Sequence, residues 1–222
     1  MFEDRMAALE GTEDGFATAS GMAAVSGALM AVLKAGDHVV AGRALFGSCL
    51  YVLEQVLPRY GVKVSFVDGT DMAQWRAAIT AETRAVFFES ISNPALEVID
   101  IQAVSDLAHE VGALVVVDNV FATPVFSRAV EQGADLIIYS TTKHVDGQGR
   151  TLGGVILGST ALIRETVEPY MKHTGGSMSP FTAWMMVKSL ETIDLRVRAQ
   201  TATALSLAEM LADHPKLHRM IY

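Results

Sequence analysis

Short apolar runs rich in β-branched residues alternate with helical patterns along this chain, and that alternation constrains the fold more than any other feature. The runs are 37–41, 63–67, 84–89, 113–117, 136–139 and 153–157. Strand-sized apolar runs separated by amphipathic helices are the pattern of parallel strands joined by crossover helices. Helical patterns fall at 22–34, 48–59 and 101–111, followed by Gly36, Gly61 and Gly112, residues suited to ending a helix. Beyond residue 179 the pattern becomes a helical tract, 184–192 and 195–211, with no strand behind it. The fold class expected is therefore α/β. With 222 residues, half of them hydrophobic, the chain can bury a substantial core as one large domain. It shows no internal repeat, low-complexity segment or linker.

Charge and patterning exclude several classes. The formal net charge is -8 and no basic run occurs, which argues against nucleic acid or an anionic membrane surface as partner. The longest nearly apolar stretch, 22–33, falls short of the roughly 20 residues a membrane-spanning helix needs. Met1 to Met6 carry acids and no apolar stretch, so a secretory signal is not expected and a cytoplasmic location is. One cysteine, Cys49, excludes an internal disulfide framework and reads as a buried small residue.

The chemistry concentrates in two runs. Residues 136–139 lead straight into Ser140, Thr141, Thr142 and Lys143. A lysine at the mouth of a buried strand, beside hydroxyls, suits an aldehyde cofactor carried as a Schiff base with its phosphate anchored nearby. Residues 113–117 end in Asp118, an acid placed to face a protonated pyridine nitrogen. Both fall at the carboxyl ends of their strands, where ligands gather in open α/β sheets. Ser20-Gly21-Met22 opens a helix, whose free N–H groups make a ready phosphate site. Together these residues point to pyridoxal phosphate.

Taken singly, each has a plainer reading. Lys143 is then a solvated loop residue, Asp118 a turn acid beside Asn119 and Pro124, Ser20-Gly21 an ordinary helix cap, Phe46 a core residue and Asn93-Pro94 a turn. Gly147-Gln-Gly149 with Gly153-Gly154 has the wrong spacing for a dinucleotide loop. His214 and His218 lack a third ligand, so no metal site is expected. Arg150 and Arg196 are left open between ligand and solvent.

Six segments carry a resemblance. Ala19-Ser-Gly-Met-Ala-Ala24, Lys34-Ala-Gly-Asp-His-Val-Val40, Leu57-Pro-Arg-Tyr-Gly-Val62, Glu89-Ser-Ile-Ser-Asn-Pro94, Val117-Asp-Asn119 and Ser140-Thr-Thr-Lys-His144 resemble, in order and spacing, the Cys/Met-metabolism family of pyridoxal-phosphate enzymes. The resemblance implies a type I, aspartate aminotransferase-like large domain over residues 1–222, with a mostly parallel seven-stranded sheet between helices and a closing helical tract at 180–214. It implies that Lys143 carries the cofactor and shuttles protons, and that Asp118 holds the pyridine nitrogen protonated. Gly21 and Met22 N–H groups and the Ser140 and Thr142 hydroxyls would bind the phosphate. Asn93 would lie near the ring's 3-oxygen, and Phe46 would stack on the ring where many members have tyrosine. Phe46 lacks that hydroxyl, and Val120 replaces the threonine of lyase members, which weakens the lyase readings.

Within the family, Leu45-Phe-Gly-Ser-Cys49, Asp146-Gly-Gln-Gly-Arg150 and Ser179-Pro-Phe-Thr-Ala-Trp184 look most like the O-succinylhomoserine sulfhydrylase branch. The reaction implied is γ-replacement in methionine biosynthesis, in which O-succinylhomoserine and sulfide give homocysteine and succinate. O-acetylhomoserine sulfhydrylase, cystathionine γ-synthase, methionine γ-lyase and a non-catalytic remnant stay open as alternatives. Implied partners are the amino-acid substrate, sulfide, and further copies in a homodimer or homotetramer. Family members also have an N-terminal arm and a C-terminal small domain bearing the substrate-carboxylate arginine. Neither is expected in these residues, so the chain alone is expected to bind cofactor weakly and turn over little.

Overall fold

A computed structural model describes residues 1–222. One sheet holds strands β1 (Asp14–Thr18), β2 (His38–Gly42), β3 (Lys63–Val67), β4 (Thr83–Glu89), β5 (Leu114–Asp118), β6 (Leu136–Ser140) and β7 (Gly154–Gly158), in the order β1-β7-β6-β5-β4-β2-β3. Strands β3, β2, β4, β5 and β6 pair in parallel; β7 is antiparallel to both β6 and β1. Each of the six apolar runs is a strand, within a residue of its expected limits. The central strands are covered on both faces, which is why they read as unbroken apolar runs.

Two features of the sheet depart from the sequence reading. The loop from Thr141 to Gly153 contains no helix, and without a crossover β7 returns antiparallel beside β6. Strand β1 is an edge strand that opens with Asp14-Gly15 and is only intermittently buried, so it carries no apolar run to read.

The helices are α1 (Phe2–Glu10), α2 (Gly21–Val32), α3 (Gly47–Tyr51), α4 (Met72–Ala78), α5 (Ile101–Glu110), α6 (Thr123–Phe126), α7 (Glu168–Thr174), α8 (Pro180–Leu190) and α9 (Ile193–Leu211). Helix α3 runs on through a widened turn at Val52–Val56 and a tight one at Leu57–Tyr60. Pro58 has no N–H to continue the regular ladder, which accounts for the change of pitch inside the expected 48–59 helix. Gly61 and Gly112 adopt positive φ at their helix ends, as expected. Helix α2 instead ends at Val32 with Leu33 extended, and Gly36 belongs to the following turn.

Two cores flank the sheet. Val86, Phe88, Val115, Val117, Ile137 and Tyr139 face α1, α5 and α8; Ala85, Phe87, Val116, Leu136 and Ile138 face α2. Strand alternation then puts Glu89, Asp118 and Ser140, the last residues of three adjacent strands, on the α2 side.

The loop after β6 is strapped down. Arg196 of α9 donates to the carbonyls of His144 (2.8 Å), Val145 (3.0 Å) and Ser189 (3.1 Å). Buried Asp146 pairs with Arg150 Nε at 3.0 Å, and Arg150 reaches Ser189 Oγ at 2.7 Å. Both arginines left open by the sequence thus hold protein backbone and side chains. Arg196→Met should lower stability by about 1–3 kcal/mol, since the three carbonyls lose a charged donor. It should also speed proteolysis within 143–150. Urea unfolding and limited digestion check this, and an unchanged midpoint with an unchanged cleavage rate would contradict it.

Candidate active site

A cavity of about 450 Å³ opens at the carboxyl ends of β2, β4, β5 and β6. Gly21, Met22, Phe46, Asn93, Asp118, Ser140, Thr142 and Lys143 all line it. That volume lies within the range of small-ligand sites.

One end of the cavity is built for an anion. Ser20 caps α2 in an extended conformation, its hydroxyl accepting the Ala23 N–H at 3.1 Å. The Gly21 and Met22 N–H groups, in the first turn of α2, have no acceptor in the protein. Helix start and strand end meet closely here: a Cβ on Gly21 would lie 2.5 Å from Ser140 Cβ and 2.7 Å from its hydroxyl. Only glycine leaves that concavity open. The Thr142 hydroxyl is engaged with the backbone of Gly153, accepting its N–H at 3.2 Å, so it closes the loop as well as lining the cavity. Lys143 follows on the same turn and is exposed.

The other end is acidic. Glu89 and Asp118 are register partners on adjacent strands. Asp118 accepts the Val120 N–H at 3.0 Å. Burial pushes its carboxyl up to about 7, the Val120 bond opposes this, and the nearby Glu89 charge adds to it. Glu89 is buried and uses both oxygens: Oε1 accepts the Phe46 N–H at 2.6 Å and Oε2 the Asn93 N–H at 2.8 Å. Burial raises its pKa too, against those two bonds.

Glu89 is the residue that sequence reasoning passed over. It ties together the two loops that carry Phe46 and Asn93. Its one sequence signal is its place at the end of an apolar run, the same place that marks Asp118. His144 also lines the cavity, with its pKa lowered by burial. Phe46 departs from its plainer reading as a core residue: it is 44% exposed at the cavity rim. Cys49 is buried as expected, and burial beside Asp118 and Glu89 drives its thiol far up. The polar atoms of Cys49, Glu89 and Asp118 lie within 4.8 Å of one another. With both Glu89 oxygens engaged and the thiol kept protonated, the trio is a poor metal site.

Pyridoxal phosphate fits these residues. Free N–H groups and a hydroxyl suit its phosphate, a carboxylate that a cation would stabilise suits its ring nitrogen, and a lysine stands on the same lining.

Comparison with known proteins agrees with this chemistry. Residues 1–222 match the family described as Cys/Met metabolism PLP-dependent enzyme. The chain is 51% identical over 222 residues to the O-succinylhomoserine sulfhydrylase of Mycobacterium tuberculosis H37Rv, covering 100% of this chain and 55% of that protein. It is 43% identical to the O-succinylhomoserine sulfhydrylase of Pseudomonas aeruginosa and 39% identical to the L-methionine gamma-lyase of Pseudomonas putida, covering 55% and 56% of them. The crystal structure of metB from Corynebacterium glutamicum superposes with a TM-score of 0.94 at 32% identity, over 97% of this chain and 56% of that one. The chain thus spans little more than half the length of the relatives it matches. It belongs to the family of Cys/Met metabolism PLP-dependent enzymes.

Proposed function

We propose that this chain is the cofactor-binding domain of an enzyme that performs γ-replacement on O-succinylhomoserine, with sulfide as the incoming group and homocysteine and succinate as products. The observation that carries the reading is the polarity of one cavity, with an anion cradle at Gly21, Met22 and Ser140, acids at Asp118 and Glu89, and Lys143 on the same lining. Support for the sulfhydrylase branch comes from the 51% and 43% identities to O-succinylhomoserine sulfhydrylases. Phe46, which has no hydroxyl for acid or base work, counts against a lyase.

Bound pyridoxal phosphate supplies an electron sink that acidifies carbons of an attached amino acid. The Gly21 and Met22 N–H groups and the Ser140 hydroxyl bind its phosphate. Thr142 closes the loop beneath them. Asp118 keeps a proton on the ring nitrogen. Lys143, a mobile amine, takes protons in turn from the α and β carbons of the substrate and returns them. Phe46 would offer the ring a flat apolar face and Asn93 would lie near its 3-oxygen, while Glu89 holds the backbone of both. The chain spans about half the length of its sulfhydrylase relatives, and by itself it should bind cofactor weakly and turn over slowly.

The first test is to mix the chain with pyridoxal phosphate, reduce with borohydride and map the labelled peptide. Label at Lys143 is expected; label spread over surface lysines would overturn the site. The whole gene product should form homocysteine from O-succinylhomoserine and sulfide. Release of an α-keto acid from methionine at a comparable rate would favour the lyase instead. Gly21→Ala forces a clash with Ser140 that costs about 1–3 kcal/mol. It should also weaken cofactor binding, and unchanged melting and affinity would remove Gly21 from the site.

Asp118 predicts an unusual pH dependence. Its folded pKa lies above its unfolded one, so the folded state binds the extra proton between about pH 4 and about pH 7. Cofactor-free stability therefore falls as pH rises through that window, by up to about 1.4 kcal/mol per unit from this group. Asp118→Asn should match wild type near pH 4, exceed it near pH 8 without cofactor, and bind pyridoxal phosphate poorly. Urea midpoints across pH decide this; parallel curves for the two proteins would refute it.

A further inference from the structure

A buried polar chain lies on the face of the sheet opposite the cavity. Glu10, the last residue of α1, is fully buried. Its Oε2 accepts the Tyr139 hydroxyl, and its Oε1 accepts the Val130 N–H at 3.2 Å. Tyr139 in turn accepts from Asn119 Nδ2 at 2.6 Å. The same amide donates to the Ser127 carbonyl at 2.8 Å, and Asn119 Oδ1 accepts the Ser90 hydroxyl at 2.8 Å. A carbonyl can only accept, so Ser127 fixes which way the amide points. Glu10, Ser90, Asn119 and Tyr139 are each no more than 5% exposed. A fully satisfied buried network of this kind fixes geometry, and removing one member leaves the others unpaired.

The chain ends next to Asp118. Strand alternation sends the Asp118 side chain into the cavity and the Asn119 side chain into the opposite core. Within the protein the Asp118 carboxylate has one tether, the Val120 N–H, so its aim depends on its backbone. That backbone is held by Asn119 N–H to Ile138 O at 3.1 Å and Ser90 N–H to Asp118 O at 3.0 Å. Both residues flanking this grip, Ser90 and Asn119, are bonded to each other and, through Tyr139, to Glu10. Burial raises the Glu10 pKa against the bonds that hold it, and keeps the Tyr139 hydroxyl protonated as a donor. An apolar pair would fill the seam between α1 and the sheet without the cost of desolvating a carboxyl group.

We propose that Glu10 and Tyr139 are positioning residues: acting through Asn119 from the far face of the sheet, they set the direction in which Asp118 presents its carboxylate to the cofactor's ring nitrogen. The inference rests on the pyridoxal phosphate reading of the cavity.

Two near-isosteric variants test it, Glu10→Gln and Tyr139→Phe, each compared with the wild-type chain. In cofactor-free protein, amide hydrogen exchange at Asn119 and Val120 should accelerate roughly tenfold while Val40 in β2 stays unchanged. With pyridoxal phosphate labelled at the ring with nitrogen-15, the ring-nitrogen resonance should move from the pyridinium position in wild type toward that of neutral pyridine in the variants. A purely structural role would leave that resonance in place. Unchanged exchange at Asn119 and Val120, equal acceleration at Val40, or an unmoved resonance in bound cofactor would overturn the proposal. If Glu10→Gln does not fold, Tyr139→Phe, which removes one oxygen and spares the Val130 bond, decides. If wild type takes up no pyridoxal phosphate even with the cofactor in large excess, the functional reading falls, and the exchange measurement alone decides the positioning.

Discussion

Burial of β4, β5 and β6 on both faces excludes polar side chains from everything but their ends, and the rest of the structure follows from that exclusion. Along β5 only Asp118 is polar, and along β6 the one polar side chain besides the Tyr139 hydroxyl is Ser140. Because the strands are parallel, those ends lie together. Alternation then sorts them by face: Glu89, Asp118 and Ser140 to the cavity, Ser90, Asn119 and Tyr139 to the opposite core. One geometric rule, period two in a parallel sheet, thus produces both the site and the network behind it.

The acidic end is where this arrangement stores electrostatic tension. Glu89 and Asp118 stand side by side on adjacent strands, and the Glu89 charge adds to the cost of ionising Asp118. Glu89 is relieved by two backbone N–H groups, Asp118 by one. The acid with fewer partners is the one a cation in the cavity would stabilise most. A protonated pyridine would lower the Asp118 pKa and release that tension, so ligand binding and fold stability draw on the same carboxylate.

How much of this was legible in the sequence depends on where each signal lies. The central strands were legible because double-sided burial writes itself as unbroken apolar runs. Gly21, Met22, Asp118, Ser140, Thr142 and Lys143 were legible because they end or follow those runs or start a glycine-led helix. Strand β1 was not, since a half-exposed edge strand with Asp14-Gly15 has no such run. Helix α1 shows no strong apolar stripe, and α4 is short. Glu89 escaped because its partners Phe46 and Asn93 lie 43 and 4 residues away, and its work is visible only once both loops are in place. The Glu10 to Tyr139 contact spans 129 residues, and no local pattern announces it. Phe46 was misplaced by aromatic statistics, which describe cores and not cavity rims. Strand and helix ends already bring Lys143, Asp118 and Gly21 to one place; Phe46 and Asn93 join them only through the family resemblance.

Charge bears on how the site is completed. Arg150 and Arg196, the arginines nearest the Lys143 loop, are engaged by Asp146, Ser189 and backbone carbonyls. Among the cavity's lining residues Lys143 is the one lysine or arginine, set against Glu89 and Asp118. The start of α2 adds about half a positive charge. A phosphate brings up to two negative charges and an amino-acid substrate a carboxylate, more than this lining balances by itself. Arg150 and Arg196 are taken up in holding the loop, so they add no charge to the lining. That balance leaves a ligand's further anionic group without a countercharge among the residues that line this cavity.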